Sequence, residues 1–124
     1  MSESKNAINW FEIPVTDFDR AVAFYGRILG RDLVSTENGP MKMAFLGEDP
    51  MNPGGALSFG PGMEPGDTGT VVYINGGSDL AVIMDRVEPA GGQVLIPKTK
   101  ISDEYGYFGM FLDTEGNRVG LHNY

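Results

Sequence analysis

The chain has 124 residues, 41% of them apolar and 21% charged, which is enough for one globular domain with a single core. Seventeen acidic against nine basic side chains give a net charge of −8, and no basic cluster offsets it, so nucleic acid is not an expected partner. Cysteine is absent, which removes disulfides, thiolate nucleophiles and sulfur-ligated metals.

In chain order, the opening stretch "MSESKNAINW" lacks the apolar run of a signal peptide, and no later run approaches membrane-spanning length. A cytoplasmic protein with no membrane partner is the expectation. "INWFEIPV" reads as a first strand. Thr16 or Asp17 then caps a helix whose Phe18, Ala21, Val22, Tyr25, Ile28 and Leu29 recur at three-four spacing, and Gly30 ends it. "DLVST", "MKMAFLG" and "GALSF" follow as strands. The Gly- and Pro-rich "GPGMEPGDTG" is a linker; Pro65 stands where a dinucleotide-binding loop needs its third glycine.

The second half repeats the scheme. "GTVVYIN" reads as a strand, and Ser78 or Asp79 caps a second helix of about four turns with Leu80, Ile83, Met84 and Val87 on one face. Pro89 and Gly91-Gly92 end it, and "QVLIP", "YFGMFLD" and "RVGLHN" are strands. "DTEGN" carries Asp113, Glu115 and Asn117 but lacks the downstream glutamate of a calcium loop, so it reads as a hairpin turn. The expectation is one α+β domain of two β-α-β-β-β modules. They cover about residues 7–60 and about 69–124, joined by a linker at about 61–68.

The two modules, the helix phrase "FDRAVAFYGRILG" and the ending "FLDTEGNRVGL" together resemble the vicinal-oxygen-chelate superfamily, across Ile8 to Tyr124. That superfamily includes glyoxalase I, extradiol dioxygenases, fosfomycin-resistance enzymes and bleomycin-resistance proteins. The resemblance implies two tandem βαβββ modules forming a curved, cleft-lining mixed sheet with the helices outside. It also implies a homodimer, because modules of this family commonly pair between chains. Enzymes of the family hold a metal with one ligand from the first and one from the last strand of each module. Matched by motif, those positions fall on Trp10, Ala56, Thr70 and Gly120. Only Thr70 has a donor atom, and a catalytic site needs about three protein ligands, so the matched positions imply no metal cofactor.

Alternation places Trp10, Glu12 and Pro14 on one face, and the family register turns it toward the cleft. The same parity turns Gly120, His122 and Tyr124 there. Glu12 and His122, the latter the only histidine, are therefore the candidate catalytic pair, since an imidazole beside a carboxylate can move a proton near neutral pH. The plainer reading leaves His122 partly solvated and Glu12 bonded to nearby backbone or Lys42. Trp10, Thr70, Tyr105, Tyr107 and Phe108 are candidate ligand contacts, and Gly120 is expected to make room for the Trp10 indole. Met41, Met43 and Phe45 alternate as core filling. The function expected is glyoxalase-like binding of a small organic molecule without a metal. The alternatives are a lyase or isomerase using Glu12 and His122, or a metal-dependent glyoxalase- or dioxygenase-type enzyme with non-inherited ligands.

Overall fold

The computed structural model describes residues 6–124, arranged as two β-α-β-β-β modules. Module one comprises β1 (Phe11–Pro14), α1 (Phe18–Leu29), β2 (Ser35–Asn38), β3 (Met41–Phe45) and β4 (Gly55–Phe59). Module two comprises β5 (Tyr73–Asn75), α2 (Ala81–Met84), β6 (Gln93–Ser102), β7 (Gly106–Leu112) and β8 (Arg118–Asn123). Each module forms a four-stranded mixed sheet, ordered β1-β4-β3-β2 and β5-β8-β7-β6, and neither sheet closes. The first strand of each runs parallel to the last, with Ile13 opposite Leu57 and Ile74 opposite Leu121. The repeat expected from the sequence is therefore a repeat of topology and register. No helix among the described residues is long and apolar enough to cross a membrane.

Helix α1 starts and stops where its chemistry dictates. The Asp17 carboxylate accepts the Arg20 amide at 3.1 Å, and Gly30, at φ 74°, turns its amide back to the Gly26 carbonyl. Its apolar face is wider than the spacing predicts. Phe24 is buried beside Ala21, Tyr25 and Ile28, because Phe111 and Gly92 of module two pack against its ring.

The second helix departs from expectation. It is a four-residue turn rather than four turns, and neither Ser78 nor Asp79 is its cap residue. The Asp79 carboxylate instead accepts the Ala81 amide and pairs with the Lys98 ammonium, each through Oδ1. Beyond Met84 the chain switches to three-residue spacing, with Arg86 bonded to Ile83 and Val87 to Met84. Pro89 explains the switch: it has no amide to continue the helix and disfavours the helical conformation at Glu88. The apolar face survives, since Leu80, Met84 and Val87 are all buried.

One core unites the modules. Ile13, Val15, Ala44 and Leu57 lie under α1, and Ile74, Phe111, Val119 and Leu121 continue the same buried cluster. "DTEGN" is a hairpin turn, closed by the Asp113 amide on the Asn117 carbonyl at 2.9 Å. Its side chains also bind module one, which the turn chemistry alone does not reveal. Asp113 accepts the buried Tyr25 hydroxyl, and Glu115 accepts the amides of Thr16 and Asp17 and the guanidinium of Arg20. Asn117 donates to the Pro14 carbonyl at 2.7 Å and accepts the Gly66 amide at 3.0 Å.

Candidate functional site

The face of module one turned away from α1 carries Trp10, Glu12 and Pro14, as alternation requires. Registers of Glu12 with Ala56, Pro14 and Met43 with Ser58, and Phe45 with Ala56 add those residues to the same face. The Ser58 hydroxyl, fully buried, donates to Glu12 Oε1 at 2.7 Å. The Trp10 ring meets Phe45 edge-on at 6.2 Å. Lys42 does not reach Glu12. It alternates to the opposite face, where its ammonium stands 5.9 Å from the Phe18 ring centroid and 5.6 Å from that of Phe59.

A cavity of about 1090 Å³ runs between β1 and the segment that leads into β5. Trp10, Glu12, Thr70, Val71, Tyr73 and Arg118 are among its walls. Asn117 holds two sides of it together, because Pro14 and Gly66 line the same cavity. No local sequence signal distinguishes this tie from ordinary hairpin chemistry.

The two registers also locate the metal-ligand positions implied by the resemblance. Glu12 opposite Ala56 corresponds to Tyr73 opposite Gly120, each one residue before a buried isoleucine–leucine pair. Trp10 stands two residues before Glu12, so its counterpart is Val71, two before Tyr73. Thr70, the position matched by motif, stands one residue before Val71, ahead of the start of β5 at Tyr73. Gly120 is filled by Tyr73, whose ring lies 2.3 Å from where a Cβ would stand. The Trp10 indole, expected there, packs on Phe45 instead. Trp10, Ala56, Val71 and Gly120 offer no side-chain donor suited to a divalent ion. Among the described residues, no three His, Cys, Asp or Glu side chains are grouped to hold one.

Glu12 and His122 are not brought together within the chain. His122 lines a separate cavity of about 470 Å³ with Tyr73, Asn75 and Tyr124. Its Nε2 lies 2.7 Å from the Tyr105 carbonyl, and its ring meets Tyr124 edge-on at 4.6 Å. Both residues occupy the faces that alternation assigned, but on different sheets with different partners. The three aromatic candidates near the final hairpin line neither cavity. Phe108 pairs with His122, Tyr107 packs on the core side with the Lys98 ammonium 4.5 Å from its ring centroid, and Tyr105 is largely exposed. Ser58 and Tyr73 were the residues missed. A serine two positions after Ala56 in "GALSF", and a tyrosine paired with a glycine, were the available signals.

The carboxylate and phenol whose pKa values move furthest lie at the hairpin and on α1. Burial works to raise the Glu115 pKa, but hydrogen bonds from Arg20, the Asp17 amide, Thr114 and the Thr16 amide prevail and hold it at about 2. Burial, reinforced by Asp113, pushes the Tyr25 phenol well above its ordinary range. Both are structural groups that lock module two to α1.

Paired β-α-β-β-β modules, each presenting a sheet face away from its helix, define an α+β fold class. The chain belongs to the Glyoxalase/Bleomycin resistance protein/Dioxygenase superfamily, whose family model matches residues 7–121. It is 31% identical over 123 residues to "Putative glyoxylase CFP32" of Mycobacterium bovis, covering 91% of this chain and 44% of that protein. The protein of the same name in Mycobacterium tuberculosis matches to the same extent. The chain thus spans under half the length of these relatives. Glyoxalase I from Zea mays is similar in fold, with a TM-score of 0.68 and 20% identity over 94% of this chain and 44% of that one. A glyoxalase-related enzyme from Fulvimarina pelagi gives a TM-score of 0.64 and 18% identity over 96% and 88%.

Proposed function

We propose that this chain binds a small, partly apolar organic molecule in the cavity walled by Trp10, without the divalent metal used by metalloenzymes of its family. The observation that carries this reading is the set of residues at the ligand positions. Trp10, Ala56, Val71 and Gly120 present carbon surface where a metal site needs about three donor atoms. The space that Trp10 and Val71 border is of a size that suits an organic ligand, about 1090 Å³, with Glu12, Thr70 and Arg118 as polar groups to orient one. In this reading the protein acts as a homodimer. Met41, Met43 and Phe45, only partly buried in one chain, supply apolar surface for a second copy or for the ligand itself.

Thermal-shift screening against a metabolite and antibiotic library, with chelator and then with nickel, zinc, manganese or iron, tests the proposal. The expected result is a group of organic compounds that raise the melting temperature in chelator and lose that effect in Trp10→Ala. Stabilisation that requires stoichiometric metal, or the failure of every compound, overturns it.

A further inference from the structure

Of the two carboxylates that line the large cavity, Glu12 and Glu64, Glu12 shares a sheet face with Trp10. One oxygen accepts the buried Ser58 hydroxyl at 2.7 Å, and among the described residues no cation pairs with it. The nearest lysine in sequence on the neighbouring strands, Lys42, is committed to two aromatic rings on the far side of the sheet. The Ser58 hydroxyl has one proton and donates it to Glu12 Oε1, which holds the carboxylate from one side and leaves Oε2 to accept from other donors. Trp10 precedes Glu12 by two residues on the same face, and Phe45 backs the indole at 6.2 Å. A fixed carboxylate beside an aromatic face is the arrangement that attracts an organic cation, through a charge-assisted hydrogen bond on one side and the ring quadrupole on the other. Arg118 lines the same cavity from β8, so a second positive group at that end is repelled. The arrangement favours a cationic centre near Glu12, attached to an apolar body.

Resting on the proposed cavity and naming its ligand class, we infer that the molecule bound there is an organic cation, its ammonium or related group held between Glu12 and Trp10. Ser58 is a positioning residue that holds the carboxylate for it.

Three probes of matched shape test this: phenethylammonium, neutral 2-phenylethanol and anionic phenylacetate, each titrated by calorimetry and by NMR against the folded protein. Phenethylammonium is expected to bind at least about tenfold more tightly than 2-phenylethanol. Glu12→Gln, which keeps an oxygen to accept from Ser58, is expected to erase that difference by weakening phenethylammonium. Ser58→Ala is expected to weaken phenethylammonium alone, by about three- to tenfold. Equal binding of the ammonium and the alcohol, or a difference that survives Glu12→Gln, overturns the inference while leaving an organic-ligand cavity in place. Binding of none of the probes while library compounds still stabilise the protein also overturns it. Failure of probes and library together overturns the cavity reading itself.

Discussion

Tyr25 donates its hydroxyl to Asp113 Oδ2 at 2.7 Å, a fully buried hydrogen bond between the first helix and the final hairpin that spans 88 positions of sequence. Asp113 also accepts the amides of Glu115 and Asn117 through its other oxygen, so one carboxylate closes the hairpin and docks it on α1. The two modules are joined by this polar contact as well as by the shared apolar core.

Tyr25→Phe removes one donor and leaves Asp113 with its remaining partners, so the loss of stability is expected to be modest, about 1–2 kcal/mol by urea unfolding. Asp113→Ala strands several donors and is expected to cost more than twice as much. The phenol, raised by burial and Asp113, stays protonated in the fold at pH values where it ionises in the unfolded chain. Wild-type stability is therefore present below about pH 10 and declines above it, and Tyr25→Phe lacks that part of the decline. An alkaline profile identical in both proteins would exclude the bond as its source.

Glu115 has the opposite dependence. Its carboxyl sits at about 2 in the fold against an ordinary value of 4.5, so its contribution is present above about pH 4.5 and is lost as pH falls toward 2. A shift of that size corresponds to about 3 kcal/mol, more than half of it gone by about pH 3. Glu115→Gln is expected to be markedly less stable than wild type at pH 7 and to approach it in acid. Parallel denaturation curves at the two pH values, with an unchanged gap between the proteins, would refute the assignment.

Gly120 and Tyr73 share one volume. A Cβ at position 120 would lie 2.3 Å from the Tyr73 ring, so Gly120→Ala is expected to destabilise by about 1–2 kcal/mol as the ring is displaced. Tyr73→Ala opens that space. In the double variant the alanine at 120 is expected to cost little, and a thermal double-mutant cycle reads the coupling directly. Additive effects would mean that the two side chains do not compete.

Trp10 is the only tryptophan, so its fluorescence reports on the large cavity without a label. A ligand bound there is expected to change the emission, and His122→Ala is expected to leave that affinity within about twofold, because His122 lines the other cavity. A loss as large as that of Glu12→Gln would show that the two side chains act together, for instance across a dimer.

The sequence by itself determined the repeat, both strand faces and the ends of α1. Those features depend on local rules: alternation every two residues, apolar spacing every three to four, Asp17 at one helix end and Gly30 at the other. It also showed that Trp10, Ala56 and Gly120, the positions matched by the family resemblance, carry no carboxylate or imidazole, because residue type alone settles what a side chain can donate. Tertiary structure decided the rest. Phe24 joins the core because module two covers it, and Tyr73 rather than Trp10 fills the space above Gly120. Glu12 takes Ser58 and His122 takes the Tyr105 carbonyl because two residues on the correct faces of two different sheets need not meet. Parity fixes which way a side chain points; only the packing of one module on the other fixes what stands opposite it.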